Sequence, residues 1–218
     1  MNQTSSRNTI LAQIRSGLQQ FPASLPYPDI DTQMSILKKA KTDESIDIEF
    51  AVNFTQNEGR FIYCEDKEEF HKHLKDISRK TGWRYIYCWQ NELIDFLQEK
   101  DFRQCKIGHR LDKAHAGITT CEALVADTGS IIFSSDLQAG RSLAIFPPVW
   151  IVVATVNQVK KNLKRALKDF NDKYPETWPS MLSIVSGPAS TQSMGMQKIS
   201  GGMGMQEIHL FFLDTETI

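Results

Sequence analysis

From about residue 47 the apolar positions of this chain change period repeatedly, and each change marks an element. Short runs rich in β-branched and aromatic residues predict strands over 60–64, 83–89, 104–108 and 130–133. Helical spacing predicts helices over 67–78 and 92–99, and the composition of 119–126 predicts another. Residues 151–154, Ile-Val-Val-Ala, are reached through Pro147-Pro148 and read as a strand buried on both faces. Val156, Val159, Leu163, Ala166, Leu167 and Phe170 then predict one face of a long helix, followed by strands over 182–185 and 208–213. Strands alternating with helices imply an α/β fold with a layered, mostly parallel sheet.

The first residues follow a different pattern. Ser5 or Ser6 can cap a helix whose Ile10, Leu11, Ile14 and Leu18 share a face, and three prolines between Pro22 and Pro28 force an extended connector. The expected organisation is an N-terminal helical and Pro-rich arm over 1–45 and an α/β domain over 46–218. Lys160, Lys161, Lys164, Arg165 and Lys168 fall opposite the apolar face of the long helix, as a solvated face or an anion-binding stripe.

Charge narrows the function classes. The 218 residues carry 25 basic and 26 acidic side chains, so no global field draws the chain to nucleic acid or to an anionic membrane. The polar N-terminus and the lack of an apolar run of about 20 residues predict a cytoplasmic protein. Cys64, Cys88, Cys105 and Cys121 form no C-x-x-C pair, so neither a metal nor an iron–sulfur cluster is expected, and no cofactor fingerprint appears. Cys121 is placed in the first turn of the 119–126 helix, where the helix dipole favours a thiolate. His71 and His73 do not share a helical face, while His109 and His115 are surface histidines or an acid or base. The near repeat Met194-Gly195-Met196-Gln197 and Met203-Gly204-Met205-Gln206 reads as loop packing or as thioether ligands for Cu(I).

Asp127-Thr128-Gly129 has the letters of an aspartic protease loop, but that chemistry needs two carboxylates sharing a proton. After a helix over 119–126, the tripeptide reads as a helix stop before a strand. The wider run Gly117-Ile118-Thr119, Asp127-Thr128-Gly129-Ser130-Ile131, Arg141, Pro147-Pro148, Ile151-Val152-Val153 and Ser186-Gly187-Pro188, closing on Glu207 to Asp214, resembles the lactate-utilization protein C family, the LUD domain. The resemblance covers about residues 58–214 and implies a sheet of the NagB/RpiA/CoA-transferase type. The chain departs from the pattern at two places. The family's Ser-Arg-Thr-Ala-Asp-Ile-Glu run lands on residues 189–195, where only Thr191 matches, and its Gly-x-His-Gly-Pro lands on Gly201-Gly202-Met203-Gly204-Met205.

Three readings of function follow. The resemblance implies an accessory or subunit role in oxidising L-lactate to pyruvate beside separate iron–sulfur subunits. A small-molecule enzyme of the isomerase, CoA-transferase or folate cyclo-ligase type and a noncatalytic interaction domain are the alternatives. The candidate ligand residues are Thr128, Gly129, Arg141, Ser186, Gly187, Thr191, Gly201 and Gly204, expected to line a cleft for a small carboxylate or phosphate at the carboxyl edge of the sheet. Catalytic residues are unassigned, with Glu122 and Asp127 as the available carboxylates.

Overall fold

The computed structural model describes residues 8–13, 15–16, 45–108, 110–137, 141–191, 199–200 and 204–216. The chain divides into two units, Met1–Lys41 and Thr42–Ile218. In the first, residues 8–13 and 15–16 are helical, with Ile10 and Leu11 exposed. The Ser5 or Ser6 cap, Ile14, Leu18 and the Pro-rich connector lie outside the described residues, as do His109 and the Met194, Met196 and Met203 positions.

The second unit opens with helix α1 (Ile46–Gln56) and strand β1 (Arg60–Cys64). Helix α2 (Lys67–Thr81) starts where the Asp66 carboxylate accepts the Glu69 amide at 2.8 Å. Strand β2 (Ile86–Tyr87), helix α3 (Asn91–Glu99), β3 (Cys105–Lys106) and β4 (Ala116–Thr120) follow. Then come β5 (Ala123–Val125), β6 (Ser130–Ser134), β7 (Val149–Thr155), β8 (Val159–Lys160) and helix α4 (Leu163–Lys173). The chain closes with β9 (Leu182–Val185), β10 (Ser190–Thr191), β11 (Ile199–Ser200) and β12 (Glu207–Leu213).

Six strands in the order β1-β12-β7-β4-β2-β3 form a sheet in which every neighbouring pair is parallel. All seven residues of β7 are buried, as an apolar strand at the centre of a two-faced sheet requires. One face carries Ile118, Ile151, Val153 and Phe211 against Phe70 and Leu74 of α2 and Leu93 and Leu97 of α3. The other carries Trp150, Val152, Leu210 and Phe212 against Phe50 and Phe54 of α1 and Leu124, Ile131 and Phe133 of a second sheet. That second sheet, β8-β5-β6-β9, takes Ala166 of α4 on its outer side, against Val125 and Ile132.

Two expected helices are corrected. Residues 119–126 are the end of β4, a turn and β5, because Ala123, Leu124 and Val125 pair with β6 and Leu124 and Val125 also pair with β8; burial between strands overrides local helix propensity. Cys121 therefore sits in no helical turn, and burial pushes its thiol up, away from the thiolate. The long helix from Val156 is a 3-10 turn (Val156–Gln158), then β8, then α4, since Val159 and Lys160 pair with β5. Lys160 and Arg165 both reach Asp169, at 3.2 and 3.1 Å.

Candidate functional site

The turn Ala126 to Gly129 joins β5 to β6 as a hairpin, so Asp127-Thr128-Gly129 caps two antiparallel strands instead of ending a helix. Gly129 has φ +60, and a Cβ there would stand 2.4 Å from the carbonyl carbon of Asn53 and the nitrogen of Phe54. The turn is thus pressed onto the end of α1, where Asn53 Nδ2 donates to the Ala126 carbonyl at 2.7 Å and Asn57 Nδ2 to the Thr128 carbonyl at 2.8 Å. Gly187 makes the same kind of approach, since a Cβ would lie 2.3 Å from the Asn57 carbonyl oxygen.

These contacts line up three hydroxyls. Thr128 Oγ1 and Ser130 Oγ are 2.7 Å apart, and Ser130 Oγ and Ser186 Oγ 2.8 Å. Beside Ser186 opens a polar cleft of about 450 Å³ bounded by Gln56, Asn57, Glu58, Gly187 and Ser190. Ser130 is buried and has a hydroxyl partner on each side, and among the described residues no basic side chain is bonded to its oxygen.

The cleft lies at the amino edge of the parallel sheet, which corrects the expected carboxyl-edge placement. The Gly59 amide donates to the Phe54 carbonyl at 3.0 Å, setting the end of α1 beside the start of β1. Ala189 donates to the Met205 carbonyl at 2.9 Å and Gln206 to that of Pro148 at 2.7 Å, setting the 186–190 loop beside the starts of β12 and β7. Gly204 belongs to this edge, 3.3 Å from the Ala189 methyl by its would-be Cβ. Ser186-Gly187-Pro188 is a loop into β10, not a helix start. Thr191 is paired with Ile199 in the β10–β11 ladder, and Gly201 lies outside the described residues.

Arg141 does not join the group. It donates to Ser180 Oγ, at the end of β6 where Ser135 and Ser180 meet, with four residues of strand (roughly 13 Å) between that end and Ser130.

Glu122, in the turn between β4 and β5, is a closely held carboxylate. Its side chain is 4% exposed, accepts from Ser134 Oγ at 2.5 Å and Tyr174 Oη at 3.1 Å, and pairs with Lys173 Nζ at 2.7 Å. Burial works against the Lys173 charge, but the Glu122 hydrogen bond and charge outweigh it and hold the ammonium above its ordinary range. Sequence reasoning found Glu122 but not Lys173, Tyr174 or Ser134, which lie 51, 52 and 12 residues away. Ser130 was visible only as a letter of the Thr-Gly-Ser motif, and Asn57 gave no signal at all.

Among the described residues the cysteines and histidines are engaged in packing or in local pairs. Burial lifts the Cys64 thiol to about 12. Cys88 Sγ donates to the Gln90 carbonyl at 3.8 Å, and the neighbouring Cys88 and Cys105 thiols act on each other so that Cys88 is raised and Cys105 lowered. His115 stacks on Tyr85 at 5.7 Å, and His73 pairs with Glu69 at 3.4 Å. Among the described residues no three His, Cys, Asp or Glu side chains gather where they could hold a metal ion, and no helix is long and apolar enough to cross a membrane.

A six-stranded parallel sheet flanked by helices, with a second sheet stacked on one face, defines an open α/β protein. Residues 84–213 match the LUD domain, and the chain belongs to that family. It is 22% identical over 211 residues to lactate utilization protein C of Oceanobacillus iheyensis, covering 87% of this chain and 88% of that one. It is 18% identical to lactate utilization protein C of Halalkalibacterium halodurans, covering 90% and 91%. A solved DUF162 family protein from Deinococcus radiodurans shares the fold, with a TM-score of 0.60 at 17% identity over 77% of this chain and 96% of that one.

Proposed function

We propose that this protein serves lactate utilization as an accessory subunit in the cytoplasm, beside separate iron–sulfur proteins that oxidise L-lactate to pyruvate. The observation that carries the reading is the similarity to lactate utilization protein C over nearly the whole of both chains. Removing two electrons and two protons from lactate requires a redox centre. The burial of Cys64, Cys88 and Cys121 supports assigning the cluster ligands to other chains. The subunit's own part is to bind a small carboxylate or phosphate, or to dock partners. The Thr128–Ser130–Ser186 hydroxyl row and its cleft, with Gly129, Gly187 and Gly204 allowing close backbone approach, support the first.

The test is an anaerobic pull-down of the tagged protein from its native cells, with mass spectrometry and iron analysis of the eluate. Cysteine-rich proteins recovered with stoichiometric iron support the subunit role. An iron-free single chain sinks it and favours a self-contained small-molecule enzyme, for which Glu122 is the buried carboxylate to probe.

A further inference from the structure

The last two strands on one side of the six-stranded sheet carry a pair of thiols. β3 is the edge strand, two residues long, and β2 is its neighbour. Ile86 pairs with Cys105 and Tyr87 with Lys106, and the Cys88 amide extends the ladder by donating to the Lys106 carbonyl at 3.1 Å. Residues two apart on a strand share a face, so Cys88 follows Ile86, and Cys105 lies across from Ile86 on that same face. All three pack into the core against α2 and α3. Cys88 and Cys105 are therefore diagonal neighbours, the first fully buried and the second half-buried at the sheet edge.

From this arrangement we infer that Cys88 and Cys105 form a reversible intrachain disulfide when the protein meets hydrogen peroxide, and that the bond acts as a redox switch on the start of α3. Cys105 meets the oxidant, since it is not buried as the other three cysteines are. The neighbouring Cys88 thiol lowers its pKa, burial works against this, and Lys106 adds to the lowering. Its sulfur attacks one peroxide oxygen, the S–O bond forms as the O–O bond breaks, and the hydroxide leaves as water with the thiol proton. Cys88 then attacks the Cys105 sulfur, the S–S bond forms as the S–O bond breaks, and its proton leaves in a second water. The two thiols give up two electrons, and the peroxide takes them. In the reduced protein Cys88 is raised by Cys105 first and by burial second, and conversion of Cys105 to a neutral sulfenic acid removes the first of these.

Closing the bond moves the backbone. Neighbouring strands lie about 4.8 Å apart and two residues span about 6.6 Å, which sets diagonal Cα atoms about 8 Å apart, whereas a disulfide holds them within about 6.8 Å. The edge strand β3 is free to close that gap, because it is bonded to the sheet on one side only. A bond made by displacing a strand is readily reduced again, as a switch requires. The displacement reaches Gln90, whose carbonyl accepts both the Cys88 thiol at 3.8 Å and the Ile94 amide of α3 at 3.0 Å. The Gln90 side chain in turn bridges to β4: its Oε1 accepts the Thr120 amide and its Nε2 donates to Thr120 Oγ1, each at 2.6 Å. Oxidation takes the thiol proton from the Gln90 carbonyl and draws Cys88 toward β3, loosening both attachments.

The test treats the reduced full chain with hydrogen peroxide, maps its disulfides by mass spectrometry and follows amide hydrogen exchange. The expected product is a monomer with a Cys88–Cys105 bond that dithiothreitol reverses, with Cys64 and Cys121 still free. The Ile94 and Thr120 amides should exchange about tenfold faster in the oxidised chain. Cys105→Ser, at the half-buried edge, should lose no thiol, and Cys88→Ala should collect a dimedone adduct on Cys105. Four free thiols after peroxide, a bond between other cysteines or between chains, or thiol loss in Cys105→Ser at the rate of the unaltered chain overturns the disulfide. Unchanged exchange at Ile94 and Thr120 overturns the switch.

Discussion

Replacing Gly129 by alanine tests whether the β5–β6 turn is held against α1 by close backbone approach. The cost has two parts. The first is conformational: at φ +60 a Cβ crowds its own backbone, at about 1 kcal/mol. The second is steric, because the new atom would stand 2.4 Å from backbone atoms of Asn53 and Phe54 that cannot turn aside, and displacing a packed helix adds about 1–3 kcal/mol. Gly82 supplies the control. It has φ +73 with nothing within 4 Å of a would-be Cβ, so Gly82→Ala carries only the first part. In a domain of this size 1 kcal/mol moves Tm by about 2–4 °C, so thermal unfolding should fall by about 2–4 °C for Gly82→Ala and by about 4–16 °C for Gly129→Ala. Equal losses in the two variants refute the steric part, and with it the claim that the turn and α1 are in backbone contact.

Other expectations are open to equally direct measurement. A urea-denaturation double-mutant cycle on Ser130→Ala and Ser186→Ala should return a coupling of about 0.5–1 kcal/mol, and additive losses would mean the hydroxyl row is not formed in solution. In native thiol labelling Cys105 should react first, since it is half-buried and the neighbouring Cys88 lowers its pKa, while Cys64, Cys88 and Cys121 wait for denaturant; early labelling of Cys121 contradicts the β4–β5 packing. His209 is buried, which lowers its pKa despite the raising effect of Glu207, 3.0 Å away, and Arg60 lowers it further. The unfolded chain then takes up a proton that the folded chain refuses, so stability falls as pH drops below about 6.5. His71, also lowered by burial first and then by Lys75 and Lys100, adds to the slope in the same direction. His209→Gln should flatten the slope by up to ~1.4 kcal/mol per pH unit, and an unchanged slope would show that this imidazole is not the group refusing the proton.

Most of the architecture is legible in the chain because it depends on local periodicity. The apolar run of β7 could be read as a two-faced strand, and helical spacing over 67–78 marks α2, where Phe70 and Leu74 are buried. Where the reading failed, a long-range contact outweighed a local preference. Ala123, Leu124 and Val125 suit a helix in isolation, yet they lie between β6 and β8, and Val159-Lys160 is drawn out of the helix pattern by the same sheet.

The site divides in the same way. The Gly-Ile-Thr, Thr-Gly-Ser, Pro-Pro, Ile-Val-Val and Ser-Gly-Pro motifs and their order are properties of the sequence alone, and together they carry the resemblance to the LUD family. Only the tertiary structure decides that Ser130 and Ser186, 56 residues apart, touch, that Arg141 lies at the other end of the strand, and that the cluster faces the amino edge. The same holds for Gln90 with Thr120 and for Glu122 with Lys173, whose separations of 30 and 51 residues leave no periodic trace. Periodicity records which face of an element is buried. Which polar ends meet depends on strand order and on the direction each connection takes, and a chain read in one dimension does not carry that information.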